Sequence, residues 1–116
     1  MMFLDVSKMR IFVRPGATDM RKQARGLSVL VEQEMELNVF GESLFVFCNR
    51  RRNLLKILYW DRNGLCQWQK RLEQHRFPWP MSEESVQEIR EPQLRWLLEG
   101  IDFWKAHTVL EYTRVS

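Results

Sequence analysis

Hydrophobic and polar positions repeat with two different periods along this chain, and the two periods predict strands and helices. Residues 9–13 form a short apolar run that a Pro-Gly pair ends, which predicts a first strand. Over residues 20–35 the apolar side chains recur at spacings of three and four, so they share one face of a helix. Thr18 and Asp19 are both residue types that cap the start of such a helix.

Three further strands are predicted in quick succession. Ser43–Cys48 is apolar on both faces, and residues 54–60 and 65–72 follow it after short connections. The first connection is the basic run 49–53, and the second contains an Asn-Gly pair, which is a strong hairpin signal. Strands joined by such turns pair antiparallel, so this part of the chain predicts a meander.

The last third of the chain predicts one more short strand and a second helix. Residues 85–89 are the strand candidate. Pro92 suits the first turn of a helix, where no N–H is needed, and Gly100 suits the end of that helix. Two prolines exclude residues 74–80 from a helix or a central strand, so their aromatic side chains should lie across the edge of the core.

Together these elements predict the α+β fold class. We expect a small antiparallel β-meander of about four to five strands, packed against an N-terminal helix, with a second helix near the C-terminus. A chain of 116 residues is long enough for one hydrophobic core. The prediction is a single α+β domain over residues 1–104 and a flexible C-terminal tail over residues 105–116, which carry no clear period.

Composition narrows the class of protein further. The chain is 45% hydrophobic and 28% charged, as soluble globular proteins are. No apolar run approaches the ~20 residues that a membrane-spanning helix requires, and the chain has only two cysteines. These observations predict a cytoplasmic protein with reduced thiols and no membrane partner.

Charge is distributed unevenly. Residues 1–80 hold 14 Lys/Arg and 8 Asp/Glu, a net charge of +6, whereas residues 81–116 hold 4 and 7, a net charge of −3. A basic body favours a nucleic-acid partner over a small-molecule substrate. The candidate DNA-binding residues are the arginines of a predicted hairpin tip, basic residues around the start of the first helix, and basic residues of the strands. They are Arg50, Arg51, Arg52, Arg14, Arg21, Lys22, Lys56, Lys70 and Arg71.

Local structural roles explain the residues that could otherwise be candidates for catalysis or metal binding. Asp19 and Asp61 are expected to act locally, as a helix cap and a turn residue. Cys48 and Cys66 lie in apolar strands and lack the close spacing of structural zinc ligands. The chain has no Gly-rich phosphate loop and no nucleophile motif. We therefore expect no enzymatic activity, no catalytic residues, no metal and no cofactor.

A set of short blocks in one order carries a family resemblance. The blocks are residues 15–22 (PGATDMRK), 44–47 (LFVF), 50–51 (RR), 56–61 (KILYWD), 64–66 (GLC), 70–73 (KRLE), 77–80 (FPWP) and 98–102 (LEGID). The chain resembles the TnpB (Orf2-like) accessory proteins of the insertion sequence sixty-six group of bacterial transposable elements. The resemblance runs from about residue 9 to residue 104.

The resemblance implies a small non-catalytic protein, encoded beside a separate and larger DDE transposase and required with it for transposition. The implied partners are DNA, in particular the element ends, the cognate transposase and other element-encoded proteins. The family is unrelated to the RNA-guided nuclease that is also called TnpB, whose nuclease domain would not fit in 116 residues. The resemblance implies no catalytic centre and brings no established binding residues.

Two other functions stay open at this point. A protein–protein adaptor for the transposase, with little DNA contact, would use the acidic segment 81–116, where Trp96 and Trp104 are the candidate partner-binding residues. A single-stranded nucleic-acid binder would stack bases on sheet aromatics, which requires Tyr59 or Trp68 to be exposed. Whether the chain forms a homo-oligomer also stays open.

Overall fold

Five strands and two helices build the domain, which confirms the predicted α+β class. In this computed structural model, which describes residues 5–82 and 85–104, a short 3-10 turn at Val6–Lys8 precedes the first strand. The elements are β1 (Arg10–Val13), α1 (Ala24–Gln33), β2 (Ser43–Cys48), β3 (Leu54–Asp61), β4 (Gly64–Arg71), β5 (Gln87–Ile89) and α2 (Glu91–Leu98). The predicted tail at 105–116 lies outside the described residues.

The strands form one sheet in the order β4-β3-β2-β1-β5, and the sheet is mixed. β2, β3 and β4 form the predicted antiparallel meander. β1 pairs parallel with β2, which departs from a wholly antiparallel sheet. The reason is the connection between them: the chain crosses from β1 to β2 through α1, and parallel neighbours need such a crossover. β5 pairs antiparallel with β1, with Ile89 opposite Ile11.

Helices cover both faces of the sheet, which explains why β2 is apolar on both sides. We name the faces after the helix on each. Side chains of the strands meet Leu27 and Val31 on the α1 face, where the strands contribute Phe12, Phe45, Phe47 and Leu58. The α2 face is larger and contains the aromatic residues of the proline-rich segment. Its buried members include Ile11, Val13, Leu44, Val46, Leu55, Ile57, Phe77, Trp79, Leu94, Leu97 and Leu98.

The first helix begins later than the sequence predicts. It starts at Ala24, and neither Thr18 nor Asp19 caps it. Asp19 instead accepts hydrogen bonds from the main chain and the guanidinium group of Arg21. The N–H of Thr18 donates to the carbonyl of Cys48 at 2.8 Å. The residues before the helix are therefore held against the end of β2.

Lys56 explains why the helix does not start at residue 20. Its side chain is buried on the α1 face of β3, and its Nζ donates to the carbonyls of Met20 (2.8 Å) and Lys22 (3.0 Å). In a helix from residue 20, the carbonyl of Met20 would accept from the N–H of residue 24. Burial lowers the pKa of Lys56 because it disfavours the charged form, and the two carbonyls offset part of that cost.

The second helix and the second hairpin follow the sequence signals closely. Pro92 lies in the first turn of α2, and Gly100 follows the helix in the left-handed region at a φ of 81°. Gln93 accepts a hydrogen bond from the N–H of Arg90 at 2.8 Å. The β3–β4 hairpin is confirmed, but its positive φ of 53° falls on Arg62, while Gly64 begins β4.

Replacing Lys56 by Met should lower the free energy of unfolding by about 2 kcal/mol, measured by urea denaturation. The change removes the cost of burying a charge, but it leaves the carbonyls of Met20 and Lys22 without their donor. The matched control is Lys22→Met at an exposed lysine, which should stay within about 0.5 kcal/mol of the parent. A Lys56→Met protein as stable as the parent would show that the ammonium group does not stabilise this segment.

Candidate nucleic-acid interface

Three loops meet at one end of the sheet. β1 and β2 run toward this end, β3 starts there, and Arg71 at the end of β4 lies opposite Leu54. We call it the basic end and define it as segment 14–22, turn 49–53 and segment 71–80. Hydrogen bonds between distant parts of the chain hold the three loops together. They include Thr18 N to Cys48 O, Leu72 N to Asn53 O and Gly16 N to Pro80 O.

Two asparagines lock the turn that carries the three arginines. Asn49 Oδ1 accepts from the N–H groups of Asn53 and Leu54, both at 3.0 Å. Asn49 Nδ2 donates to Asn53 Oδ1 at 2.7 Å. Arg52 lies near the end of the turn in the left-handed region at a φ of 60°, a conformation that favours glycine. An arginine there carries a strain of about 1 kcal/mol.

Segment 71–80 is hydrogen-bonded to this turn. The carbonyl of Arg52 accepts from the N–H of Phe77 at 2.7 Å, and Phe77 is itself fully buried in the core. Arg76 precedes Phe77 and is exposed, so the tie places it beside the arginine turn. Sequence reasoning missed Arg76 because no local motif marks it. Only the hydrogen bond between residues 52 and 77, which are far apart in the chain, reveals its position.

The arginines of the turn carry unneutralised charge. Among the described residues, Arg50 and Arg51 are exposed and have no acidic partner. Four other described arginines are ion-paired, and therefore add less net positive field. These pairs are Arg10–Glu88, Arg14–Glu34, Arg21–Asp19 and Arg95–Glu91.

Four of the nine predicted DNA-binding residues have side chains that hydrogen-bond to other groups of the protein. Lys56 is buried, and Lys70 donates from Nζ to the carbonyl of Leu98 at 2.8 Å. Arg14 bonds Glu34, Ala17 and Thr18, with its side chain 22% exposed. Arg21 binds Asp19 through two guanidinium nitrogens, which holds the pKa of Asp19 well below its usual range. The structure therefore removes Lys56 from the set that could contact DNA.

The five remaining residues come together at the basic end. Arg50, Arg51 and Arg52 form the turn, and Arg71 ends the neighbouring strand. Lys22 is exposed, and the bond from Lys56 to its carbonyl holds it over the α1 face of β3. The register therefore gathers into one region residues that are up to 49 positions apart in the sequence.

The opposite end of the sheet is more acidic. Asp5, Glu42 and Asp61 line a small cavity of about 250 Å³ there, together with Trp60 and Lys8. Lys8 lies 3.8 Å from Asp5. The end opposite the arginine turn therefore holds more carboxylates, although it also carries the exposed Arg62.

The structure also shows the surroundings of the residues that a metal site or base stacking would use. Burial raises the pKa of the Cys48 thiol to about 12, so it stays protonated and is a poor metal ligand. Within residues 5–82 and 85–104, no group of three or more His, Cys, Asp or Glu side chains could hold a metal ion. Tyr59 and Trp68 are half-buried against the core of the α2 face, so they offer no open platform for bases. No helix in this part of the chain has the length and hydropathy to cross a bilayer.

The two candidate partner-binding tryptophans differ in environment. Trp96 on α2 is 44% exposed, and nearby Ile101 is 49% exposed. Trp104 is half-buried, and its Nε1 donates to the carbonyl of Pro78 at 2.6 Å. Trp104 therefore helps to hold the proline-rich segment, whereas Trp96 is more exposed and its ring lies 6.3 Å from that of Phe103.

Comparison with known proteins finds a family and two relatives. A family model described as IS66 Orf2 like protein (TnpB_IS66) matches residues 9–108. "Uncharacterized protein y4hO" of Sinorhizobium fredii is 39% identical over 107 residues, which cover 92% of this chain and 93% of the relative. "Uncharacterized protein y4jC" of the same organism is 27% identical over 95 residues, with 82% and 81% coverage. No solved structure matches the chain significantly.

Arg52→Gly should raise the free energy of unfolding by about 0.5–1 kcal/mol, because glycine adopts a positive φ without strain. The carbonyl that binds Phe77 belongs to the main chain and is retained. Thermal unfolding of the two proteins measures the effect. Arg51→Gly is the control at a position outside the left-handed region, and it should not be stabilising. A destabilised Arg52→Gly protein would contradict the strained geometry of the turn.

Proposed function

The chain belongs to the IS66 Orf2-like family of transposition-associated accessory proteins, and on this premise we propose that it is a non-catalytic DNA-binding subunit. The observation that carries the proposal is the arginine turn, in which Arg50 and Arg51 project from a locked hairpin tip with no acidic partner. Cleavage and strand transfer are then left to a separate transposase. The place of action is the bacterial cytoplasm, where the element DNA lies.

Phosphate groups are the first ligands that this geometry suits. A guanidinium group offers two parallel N–H donors, which match the oxygens of a phosphate. Because the asparagine bonds already hold the turn, binding orders little main chain, and the entropic cost of association is lower. Arg71, Arg76 and Lys22 flank the turn and extend the positive surface along the DNA backbone.

The strained position of Arg52 supports the same proposal. Glycine would adopt a φ of 60° at less cost, yet this position carries a charged side chain. Residues with an unfavourable backbone conformation occur most often where function requires their side chain. Arg52 therefore adds a third positive charge to the tip at the expense of some stability.

The tip also has the form of a DNA-reading element. The strands of this hairpin are flanked by other strands and covered by helices, so only its tip can reach a groove, where arginine is the side chain that most often reads guanine. We propose that the β2–β3 hairpin approaches the groove at the element ends, with its arginines on phosphate and base edges. Phosphate contacts then supply the affinity, and base contacts supply preference for the ends.

Arg50→Gln combined with Arg51→Gln should weaken binding to element-end duplex by at least about 10-fold in fluorescence anisotropy. The slope of log affinity against log salt should fall by about 2, because two phosphate contacts no longer release counterions. The matched control is Arg62→Gln, since Arg62 is an exposed arginine at the tip of the other hairpin, at the acidic end. Equal affinity and slope in parent and double variant would refute the role of the turn.

A second candidate function rests on the exposed apolar residues of the acidic segment. Trp96 and Ile101 are both more than two-fifths exposed, and tryptophan is the residue most enriched at interface hot spots. In this alternative the protein is an adaptor that binds the transposase and barely contacts DNA. The two functions use opposite charge regions of the chain, so separate variants distinguish them.

Trp96→Ser should abolish capture of the cognate transposase in a pull-down and leave the anisotropy signal with DNA unchanged, if the adaptor function operates. Val29→Ser on α1 is the matched control, because Val29 is also 44% exposed and is far from α2 in sequence. Transposase capture that survives Trp96→Ser would remove this surface from consideration. Loss of capture in both variants would indicate a general effect of surface polarity instead.

A further inference from the structure

β4 leaves one side of its main chain open. It is the first strand in the order of the sheet, and no described strand pairs with its outer side. It extends over eight residues, Gly64–Arg71, without a proline. Native proteins usually shorten, charge or cover such an edge, since its free N–H and C=O groups are a template for another strand. Charged side chains occur only at Lys70 and Arg71, the last two positions.

The register with β3 identifies which groups are open. The N–H of Leu72 donates to the carbonyl of Asn53, so residues 53 and 72 are a hydrogen-bonded pair. Bonded and non-bonded pairs alternate along an antiparallel ladder. With Arg71 opposite Leu54, the residues that direct N–H and C=O outward are Leu65, Gln67, Gln69 and Arg71.

We propose that a second copy of this chain pairs with β4 in antiparallel fashion, about a twofold axis at Trp68, to form a continuous ten-stranded sheet. This register joins all four open residues to one another: Leu65 lies opposite Arg71 of the second copy, and Gln67 lies opposite its Gln69. The two Trp68 residues meet at the axis as a non-bonded pair, where side chains approach most closely. Aromatic pairs across strands stabilise a sheet.

An unsatisfied polar atom points to the same partner. Gln67 Oε1 is buried and has no hydrogen-bond donor, although Gln67 Nε2 donates to Gln23 Oε1 at 3.2 Å. Buried polar atoms are rarely left unpaired. In the proposed register, Gln69 of the second copy lies directly opposite on the same face, and its exposed amide group supplies the missing donor if the Gln67 side chain turns toward the edge on pairing.

Charge is also complementary in this arrangement. Antiparallel pairing sets the basic end of one copy beside the end of the other that carries Asp61 and Glu42, together with Arg62. No like charges lie directly opposite, because Arg71 faces Leu65 and Lys70 faces Cys66. The inference is independent of DNA binding. In the dimer, the two arginine turns lie at opposite ends of the strands.

The test compares Gln69→Pro with Gln69→Thr in the full chain by sedimentation equilibrium. Proline removes an outward N–H and should weaken the dimer on the order of 100-fold, while the bonds from β4 to β3 remain. Threonine keeps that N–H, favours a strand and should leave a dimer. Far-UV circular dichroism checks that both variants are folded. A parent chain that is monomeric up to on the order of 1 mM, or a dimer unaffected by proline, would overturn the proposal.

Amide hydrogen exchange of the unmodified chain gives a second test that needs no variant. The N–H groups of Leu65, Gln67, Gln69 and Arg71 should be protected in concentrated solution and should lose protection on dilution, in step with dissociation. Their neighbours Cys66 and Trp68, which bond to β3, should stay protected throughout and serve as the internal control. Protection that persists in the monomer would mean that the edge is covered within one chain, and exchange at every concentration would mean that it is never covered. Either result contradicts the dimer.

Discussion

The buried ammonium group of Lys56 is the interaction on which the arrangement of the basic end depends. It lies among apolar side chains of the α1 face and bonds the carbonyls of Met20 and Lys22. A charge in such a place is tolerable only when polar groups replace its water shell. The main chain before α1 therefore stays unwound to present those carbonyls, and the helix starts at Ala24. The same bonds hold Lys22 at the edge of the proposed DNA-binding surface.

The distribution of positive charge depends on which basic side chains form ion pairs or hydrogen bonds within the protein. Arginines that have a carboxylate nearby form ion pairs, and the two buried or half-buried lysines bond main-chain carbonyls. Several arginines without an ion pair lie close together at the basic end, where the bond from Phe77 to Arg52 brings a distant loop against the hairpin. Exposed charges close together raise the local field far more than the same charges spread over the surface. This concentration, rather than the net charge of +3, is the physical basis of the proposed DNA binding.

The way charge is distributed along the strands relates the proposed DNA-binding surface to the unpaired edge of β4. Because the arginine turn and the carboxylates of Asp5, Glu42 and Asp61 lie at opposite ends of the strands, antiparallel pairing of two copies brings the arginine-turn end of each copy beside the end of the other that holds these carboxylates. The same geometry directs the two arginine turns away from each other. A dimer of this kind would engage two separate duplexes rather than neighbouring half-sites of one, which is an arrangement suited to a protein that acts where two element ends are handled together.

Local chemistry in the sequence determined the strands, the hairpins, the start of α2 and the exposed arginine turn, because apolar periodicity, Pro92 and short turn signals act within a few residues. Tertiary contacts decided the rest. The crossover made β1 and β2 parallel, Lys56 moved the start of α1 from residue 20 to Ala24, and four of nine candidate basic residues were taken up by internal partners. The hydrogen bond from the N–H of Phe77 to the carbonyl of Arg52 placed Arg76 at the basic end. Those outcomes depend on which groups meet after the chain has folded, and the spacing of residues along a chain does not encode that.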